Sequence, residues 1–351
     1  MKKIAIRVDA SKNIGLGHLQ RCLALASELK KNGYEITLIV RDYDSELLKT
    51  YLNNKHRVIF INSDLAVHSE PKKISDILSY YSIYVIVFDI KYKKLFSNND
   101  NFYNYLKYFK KYKVIIFDDL NFKVFPSTIA IIPYVGTENR FTDEINTQTK
   151  YLLGPNYFIL RNEFINANSI KFKNKIENIL ITMGGSNIGF FTEKVVESIL
   201  KLDKKVKLTV LLVEGANYHM KKLDQFKNES NEIEIEYILN CENMAKIMQK
   251  SDLAVINSGL TKYETMSMGL PTIVISNNEN HGTLMNEFEE KTEGVIHLGV
   301  GKHLTSVQIA KSIEELFKDP KKRKKLHLRG LQLIDSNGCK RIVSNINNIM
   351  Q

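Results

Sequence analysis

Short apolar runs rich in Ile and Val alternate with amphipathic helical patterns along most of this chain. The first run, Ile4 to Val8, precedes a helical stripe of apolar residues from His18 to Lys31, which Gly33 ends. Strands that are apolar on both faces must be covered on both faces, and the helices between them supply that cover. The alternation therefore predicts a parallel sheet with helices on either side.

The alternation pauses near the middle of the chain and then begins again. Residues 162–177 are polar, and a new buried strand is predicted at Ile179 to Thr182. The length of 351 residues also predicts two domains, at about 150 residues each. We expect an α/β protein with two Rossmann-like parallel-sheet domains facing a cleft. The predicted ranges are 1–163 for the first domain, 164–176 for a linker, 177–335 for the second domain, and 336–351 for a C-terminal helix whose return to the first domain stays open. A final pair of helices is predicted over roughly 305–350.

The chain carries 50 Lys and Arg against 39 Asp and Glu, a formal net charge of +11. Basic and acidic residues alternate nearly everywhere, and the run Lys321 to Lys325 is typical of a solvated helix face. A nucleic-acid-binding protein is expected to show a basic stripe or a known binding module. We therefore expect no nucleic-acid partner.

Three cysteines, Cys22, Cys241 and Cys339, are widely separated and form no CxxC pair. This argues against a disulfide scaffold and against a thiolate zinc site. The apolar start at Ile4 is interrupted by Arg7, and no apolar run approaches about 18 residues, so no signal peptide or membrane-spanning helix is predicted. We expect a cytoplasmic protein with no integral membrane segment, and a peripheral membrane contact stays open.

A glycine-containing loop joins the first predicted strand to the first helix, from Asp9 through Gly15 and Gly17 to His18. Glycines permit a tight turn, and the free amides of a helix start attract an anionic group. The positive end of the helix favours an uncharged His18 that can accept a proton. We predict His18 as the catalytic base and Gly17 as a diphosphate ligand. Asp9 and Arg21 are the predicted sugar ligands, and the alternative is a helix-start loop whose histidine is incidental.

Two further loops follow strands of the second half. Met183-Gly184-Gly185-Ser186 comes after the strand at Ile179, and Asn257-Ser258-Gly259 comes after a later strand. Backbone amides of such loops can cradle a diphosphate, and a carboxylate in the following helix suits ribose hydroxyls. The predicted nucleotide ligands are Gly184, Gly185, Ser186, Ser258, Gly259 and Glu264. The Met183 loop is neither a Walker A nor a GxGxxG motif, so we predict no ATP hydrolysis and no nicotinamide binding. The alternatives are an ordinary strand-to-helix turn at Met183 and a polar loop with a solvated helix face at Ser258.

Polar residues end several strands at the edge where ligands bind in such sheets. Asp89 ends the fourth strand, and Asn280 with His281 follows the strand at Thr272, so we predict these three as sugar ligands. The other acidic strand ends are Asp118-Asp119 and Asp42-Tyr43-Asp44. Such carboxylates can hold a cation, but capping of the next turn is the commoner explanation. We predict no metal and no cofactor.

Together these motifs resemble the UDP-sugar hydrolase family of pseudaminic acid biosynthesis over nearly the whole chain. The block from Asp9 to Arg21, which continues into Cys22-Leu23, resembles the first motif of that family. The other similar segments are Phe117 to Leu120, Leu153 to Phe164, the Met183 loop, and Ser258-Gly259 with Glu264. Asn243-Met244-Ala245 resembles the segment whose backbone faces the uracil ring, which implies Met244 and Ala245 as nucleotide ligands.

The resemblance implies a GT-B fold, related to the lipid II-forming N-acetylglucosaminyltransferase, and release of UDP from a UDP-diacetamido-trideoxyhexose. It implies that His18 activates a water for attack at the anomeric carbon, with no cofactor. The chain departs from the family after the fourth strand, where Asp89-Ile90-Lys91-Tyr92 stands in place of Asp-His-Tyr. It also departs from the commonest forms at Ser258 to Glu264 and at Asn278 to His281, and these segments resemble glycosyltransferases of spore-coat or polysaccharide biosynthesis.

The sequence supports four functional hypotheses. The leading hypothesis is the UDP-sugar hydrolase, and the runner-up is a glycosyltransferase of the same fold that gives the sugar to a polysaccharide, lipid-linked or protein acceptor. The Lys-rich first half, interleaved with Tyr and Phe, suits an acceptor surface. A sugar-binding module without catalysis and a nucleic-acid binder are the two further alternatives. Retention on heparin with a steep salt dependence would indicate the nucleic-acid binder.

Overall fold

The computed structural model describes residues 2–11, 14–52, 56–90, 99–117, 126–138, 148–184, 191–212, 217–228 and 232–350. The chain divides into two units, the first made of Met1–Arg161 with Asn337–Gln351 and the second of Asn162–Ser336. Each unit is built on one sheet, with seven strands in the first and six in the second among the described residues. The predicted α/β class with two parallel-sheet domains is thereby confirmed.

The sheet of the first unit has the strand order β3-β2-β1-β4-β5-β6-β7. Its strands are β1 (Lys3–Val8), β2 (Glu35–Asp42), β3 (Arg57–Asn62), β4 (Val85–Asp89), β5 (Lys113–Phe117), β6 (Ile129–Ile132) and β7 (Lys150–Leu153). All neighbouring strands are parallel. Their carboxyl ends therefore meet at one edge of the sheet, and the strand order changes direction between β1 and β4.

Helices cover both faces of this sheet because its strands are apolar on both faces. The helices are α1 (Gly17–Lys31), α2 (Ser45–Tyr51), α3 (Glu70–Tyr80) and α4 (Asn99–Lys107), with short 3₁₀ turns at Val67–Ser69 and Pro155–Tyr157. Successive residues of a strand point to opposite faces. Accordingly, Ile4 and Ile6 join the core that includes Leu25 of α1, whereas Ala5 joins the core that includes Ile74 of α3 and Leu106 of α4.

The second unit repeats this plan with the strand order β10-β9-β8-β11-β12-β13. Its strands are β8 (Asn178–Thr182), β9 (Val206–Leu212), β10 (Ile233–Leu239), β11 (Leu253–Asn257), β12 (Thr272–Ser276) and β13 (Ile296–Val300). Its helices are α5 (Asn162–Ile165), α6 (Phe191–Leu200), α7 (Asn217–Lys227), α8 (Met244–Gln249), α9 (Thr261–Met268), α10 (Glu279–Thr292), α11 (Ser306–Lys318) and α12 (Pro320–Leu333). Here the strand order changes direction between β8 and β11.

The C-terminal helix α13 (Gly338–Ile349) belongs to the first unit. One face of this helix, with Cys339, Ile342 and Ile346, lies in the same apolar core as Ile4. Tyr34, just after α1, donates a hydrogen bond to the Asn347 side chain at 2.6 Å. The last helix therefore completes the cover of the first sheet.

Three details of the structure differ from the sequence prediction. The strand β7, an edge strand of four residues, was not predicted because so short an apolar run gives a weak periodic signal. Residues 164–176, predicted as a linker, lie within the second unit, where Ile170 donates its amide hydrogen to the Met268 carbonyl at 2.8 Å. The region 305–350, predicted as a helical pair, holds the three helices α11, α12 and α13.

Replacing Ile346 with Ala should destabilise the first unit by about 2–5 kcal/mol, because Ile346 is fully buried in its core. Urea unfolding measures the loss, and hydrogen exchange of individual peptides shows which unit it affects. Peptides from β1 to β5 should lose protection while those from β8 to β12 keep it. The control is Asn348→Ala on the exposed side of α13, and a loss confined to the second unit would contradict the assignment of this helix.

Candidate functional site

Each sheet carries polar side chains where its strand order changes direction. In the first unit, Asp9 follows β1 and Asp89 ends β4, and Val8 pairs with Asp89 in the sheet. In the second unit, Gly184 follows β8 and Asn257 ends β11. Ligands of open parallel sheets bind outside the carboxyl ends of the strands at such a switch point. These two places, one in each unit, are therefore the candidate sites.

The loop before α1 places His18 at the switch point of the first unit. Gly15 adopts a positive φ of 86°, a conformation that glycine adopts at little cost, and its amide closes a turn onto the Ser11 carbonyl at 2.8 Å. Helix α1 then begins at Gly17, so His18 lies in its first turn, with 8% of its surface exposed. The predicted placement of His18 at the start of this helix is confirmed.

The carboxylate of Asp89 is the centre of a buried polar cluster. One of its oxygens, Oδ1, lies 2.6 Å from His18 Nδ1 and 2.5 Å from Arg21 Nη2. The other oxygen, Oδ2, accepts from Arg21 Nε at 2.5 Å and from the Cys22 thiol at 3.3 Å. Asp89 itself is 1% exposed, so both of its oxygens are already occupied by protein donors.

These donors keep Asp89 ionised although it is buried. Burial alone would raise the pKa of Asp89, but the positive charge of Arg21 and then the contact with His18 outweigh burial, so the pKa lies well below its usual range. An ionised carboxylate can only accept hydrogen bonds. The 2.6 Å contact therefore assigns a proton to His18 Nδ1, and the 3.1 Å approach of Arg21 Nη2 to the same nitrogen is a contact between two donors rather than a hydrogen bond.

Two aromatic side chains hold Arg21 in this geometry. Arg21 Nη1 donates to the phenol oxygen of Tyr134 at 2.9 Å, and the guanidinium lies 5.0 Å from the centre of the Phe117 ring. Tyr134 follows β6 and Phe117 ends β5, so both come from strands beyond β4 in the same sheet. The bidentate pairing of Arg21 with Asp89 is consequently fixed from both sides.

Asp9 belongs to a second buried cluster of charges. Arg7 donates to both oxygens of Asp9, at 2.5 and 3.0 Å, and through Nε to Glu70 of α3 at 2.6 Å. Arg41 of β2 donates to the other oxygen of Glu70 at 2.6 Å, and the Tyr105 hydroxyl donates to Glu70 at 2.9 Å. Two positive and two negative side chains, all at most 2% exposed, thus compensate one another's charge.

This pairing lowers the pKa of Glu70. Burial on its own would raise that pKa, and the neighbouring Arg7 and Arg41 outweigh it. The phenol of Tyr105 responds in the opposite direction, because burial and the charge of Glu70 raise its pKa well above the usual value. Asp9 is 2% exposed and is held by Arg7, so the structure places this predicted sugar ligand in an ion-pair cluster below the surface.

The switch point of the second unit is built from backbone and amide groups. Gly184 has a positive φ of 71°, and a Cβ at this position would lie 2.6 Å from Asn257 Nδ2. Asn257 donates from Nδ2 to the Met183 carbonyl at 2.8 Å and accepts from the Gly259 amide at 3.2 Å. One side chain therefore joins the two predicted phosphate loops, which explains why residue 184 is a glycine.

The start of α9 and the start of α10 meet at Ser258. The Ser258 hydroxyl lies 3.0 Å from His281 Nδ1, and His281 is in the first turn of α10, which Asn278 caps by accepting from the His281 amide at 3.0 Å. Burial and then the positive charge of Lys262 lower the pKa of His281. The structure thus brings together Ser258 and His281, which the sequence assigned to different ligand groups.

The remaining predicted ligands that the structure describes lie on helices α8, α9 and α10 of the second unit. Glu264 is buried in the first turn of α9, and Asn280 is exposed near the start of α10. Ala245 is buried at 2% exposure. The amide of Met244, predicted to face the base, donates to Glu163 Oε1 at 3.0 Å. A base read by this amide would have to displace that carboxylate.

Several predicted residues lie outside the described part of the chain. They are Gly185 and Ser186 of the second glycine loop, the pair Asp118-Asp119, and Lys91 and Tyr92. Among the residues that are described, no group of His, Cys, Asp or Glu is arranged to hold a metal ion. The same residues include no helix with the length and apolar character needed to cross a bilayer.

Sequence reasoning missed the partners of the predicted residues more often than the residues themselves. Glu70 and Arg41 were not predicted because single charged residues in a helix or strand look solvated. Tyr134 follows an apolar run and gave no polar pattern. Asp89 was predicted as a sugar ligand, and only the pairing of β4 with β1 shows that it lies beside His18 and Arg21.

Gly184→Ala should destabilise the second unit by more than the about 1–2 kcal/mol that a left-handed backbone costs a residue with a Cβ, because the new Cβ meets Asn257. Gly33→Ala is the control, since Gly33 has a φ of 82° and open space around it. The double variant Gly184→Ala/Asn257→Ala should recover the excess loss in urea unfolding. If Gly184→Ala lowers the free energy of unfolding equally in the wild type and in Asn257→Ala, the two loops are not joined in this way.

Residues 178–332 match the family model of the glycosyltransferase family 28 C-terminal domain. An uncharacterised protein of Methanocaldococcus jannaschii is 31% identical over 82% of this chain and 58% of its own length, so the chain spans little more than half of that relative. SpsG, a spore coat polysaccharide biosynthesis protein of Bacillus subtilis, is 22% identical over 97% of this chain and 96% of its own. A UDP-2,4-diacetamido-2,4,6-trideoxy-beta-L-altropyranose hydrolase of Campylobacter jejuni is 23% identical over 73% of this chain and 85% of its own.

Solved structures agree with the two-sheet architecture. MurG of Acinetobacter baumannii has a TM-score of 0.73 at 13% identity, over 99% of this chain and 100% of that one. MnaA of Staphylococcus aureus, solved with UDP, has a TM-score of 0.66 at 12% identity, over 100% of this chain and 97% of that one. At these identities the likeness concerns the fold. The chain thus has a GT-B-like fold of two parallel-sheet units, and its second unit carries the match to the glycosyltransferase family 28 C-terminal domain.

Proposed function

We propose that this protein is a nucleotide-sugar hydrolase that releases UDP from a UDP-diacetamido-trideoxyhexose, a step of nonulosonic acid biosynthesis of the pseudaminic type. The observation that carries the proposal is the 2.6 Å contact between His18 Nδ1 and the ionised Asp89 at the ligand edge of the first sheet. A histidine oriented by a buried carboxylate is suited to general-base chemistry. The substrate class is supported by the Campylobacter jejuni hydrolase.

The proposed chemistry begins with a water near His18. Because Nδ1 carries the proton shared with Asp89, Nε2 is the ring nitrogen that can take a proton from the water as it attacks the anomeric carbon. The bond from that carbon to the UDP oxygen breaks, and the proton stays on the imidazole until it is returned to solvent. The negative charge of Asp89 stabilises the imidazolium that forms.

Arg21 and Asp89 are proposed as positioning residues rather than as the sugar ligands that the sequence predicted. Both oxygens of Asp89 are engaged by Arg21, His18 and Cys22, so the carboxylate is proposed to orient the base and stabilise its charged form rather than to bind the sugar. Asp9 is proposed to stiffen the loop that leads to α1, since its oxygens are held by Arg7. Gly17 at the start of α1 stays a proposed diphosphate ligand, and Asn280 and His281 stay proposed sugar ligands.

The second unit is proposed to hold the nucleotide. Gly184, Ser258 and Gly259 supply backbone groups at the switch point, where helix-start amides favour an anion. Glu264, buried in the first turn of α9, is proposed to accept from the ribose hydroxyls. The UDP bound to MnaA supports this nucleotide, and Gly185, Ser186, Met244 and Ala245 complete the proposed set.

A glycosyltransferase is the second candidate, and specific similarities favour it. Residues 178–332 match a glycosyltransferase domain, and the similarity to SpsG extends over 97% of this chain. In that case the base would act on a hydroxyl of a surface polysaccharide, lipid-linked or protein acceptor instead of on water. The first unit presents exposed Tyr84 and Tyr108 near several lysines, a composition that suits such an acceptor.

The direct test is incubation with purified UDP-sugars, a UDP-diacetamido-trideoxyhexose among them, while UDP release is followed with and without acceptors. The hydrolase proposal expects release with water as the only acceptor. Release that begins only when an acceptor is added would move the assignment to the transferase. Neither turnover nor calorimetric binding of any UDP-sugar would contradict both.

His18→Asn should lower the turnover number by about 10²–10⁴-fold and leave UDP affinity nearly unchanged, because the variant removes the base but no proposed nucleotide ligand. Steady-state kinetics and calorimetry with UDP give the two readouts. Glu264→Ala is the complementary variant, and it should weaken UDP binding instead. Full turnover by His18→Asn would show that another group is the base.

Asp89→Asn should lower turnover strongly and also weaken folding, by about 3–5 kcal/mol, because it leaves Arg21 buried with an uncompensated charge. Cys22→Ser is the matched control, since it alters a contact to the same carboxylate and keeps the Arg21 and His18 pairs. Turnover is compared at a temperature where both variants are folded by circular dichroism. Turnover of folded Asp89→Asn equal to that of Cys22→Ser would argue against the positioning role.

A further inference from the structure

Lys262 lies in the first turn of α9, beside the turn proposed to hold the diphosphate. Its ammonium donates to the carbonyl oxygens of Ser258 at 3.3 Å and Gly259 at 3.0 Å. It also lies 4.9 Å from the centre of the Tyr263 ring and 5.2 Å from that of Phe288, two buried aromatic side chains. The cation is thus held against the backbone of the turn rather than extended into solvent.

The electrostatics of this position are unfavourable without a ligand. The first turn of a helix carries the positive end of its dipole, which disfavours a lysine there. Among the residues that the structure describes, Lys262 forms no ion pair, and its hydrogen bonds go to neutral carbonyls. Burial lowers the pKa of Lys262 to about 8. An anion at the Ser258–Gly259 turn would supply the counter-charge that the protein leaves out.

The titratable neighbours of Lys262 do not supply this counter-charge. On α9 itself they are Tyr263 and Glu264, and on α10 the nearest is His281, whose pKa is lowered by burial and by Lys262. The titratable residues on the other helices packed against α9 include Glu163 on α5, Lys246 on α8, and Arg323 and His327 on α12. Burial is the only cause that shifts Lys262, so no carboxylate among these compensates its charge.

We propose that Lys262 is the counter-charge of the nucleotide diphosphate, so that UDP binding at the Ser258–Gly259 turn holds a proton on its Nζ. The inference rests on the proposed function, because it requires this turn to bind a nucleotide. When the free protein has lost that proton, binding takes one up from solvent and converts the amine to the ammonium. No bond of the nucleotide changes in this step.

UDP binding is expected to weaken as the pH rises above the pKa of Lys262. A bound diphosphate raises the pKa of Lys262 above its free value of about 8, so the bound state holds more protons than the free state above that pH. UDP affinity should then be nearly constant around pH 7 and fall above pH 8, by up to about tenfold per pH unit. At pH 9 the phosphates of UDP are already ionised, since their second pKa is about 6.

The experiment is titration calorimetry of UDP binding at pH 7.5 and pH 9, in pairs of buffers that differ in ionisation enthalpy. We expect close to one proton taken up per UDP at pH 9 and little at pH 7.5, with weaker binding at pH 9. Lys262→Arg, which keeps its charge at both pH values, should keep its affinity at pH 9 and take up no proton. Lys262→Met should bind UDP about 10- to 100-fold more weakly at pH 7.5, also without proton uptake.

Lys291→Met is the matched control, because Lys291 is a surface lysine of α10 paired with Glu287 at 2.9 Å, and it should behave as the wild type. Wild-type protein that binds UDP with equal affinity and no proton uptake at the two pH values would overturn the role of Lys262 and leave the nucleotide site standing. Absence of UDP binding at every pH would instead overturn the proposed function. If Lys262→Met does not fold, the wild-type pH dependence and Lys262→Arg decide the matter.

Discussion

The buried carboxylate of Asp89 organises the ligand edge of the first sheet. It accepts two hydrogen bonds from Arg21 and one from His18, and these contacts compensate for the cost of burying its charge. The same contacts hold Arg21 against Tyr134 and assign the proton of His18 to Nδ1. The orientation of the histidine, the ionisation of the carboxylate and the packing of the arginine therefore depend on one another.

The two units use the same topology for different chemistry. At the switch point of the first sheet, side chains carry full charges and a titratable base. At the switch point of the second, Asn257 joins two backbone loops, and Lys262 is the nearby cation without an ionic partner among the described residues. Proton transfer requires charged side chains around a titratable base. An anion such as a diphosphate is instead bound by backbone amides and by one positive charge whose protonation can change.

The two sheets and the position of His18 could be predicted from the sequence, because both follow from patterns of residues close together in the chain. The alternation of apolar strands and helices predicted both sheets, and the loop from Asp9 to Arg21 placed His18 at a helix start. The pairing of His18 with Asp89, 71 residues apart in the chain, could not be predicted, because it depends on β4 lying next to β1 in the sheet. Glu70, Arg41 and Tyr134 were missed for the same reason. Each looks ordinary in its own segment and gains its role from a strand or helix remote in sequence.

The proposed chemistry requires that Asp89 fixes the proton of His18 on Nδ1. Nitrogen-15 NMR of protein labelled in histidine measures this directly, because the two ring nitrogens have distinct shifts when one of them is protonated. We expect a His18 Nδ1 that carries a proton in strong hydrogen bonding, with that signal altered in Asp89→Asn. A proton found on Nε2 with Nδ1 unprotonated would show that Asp89 does not orient the histidine in this way.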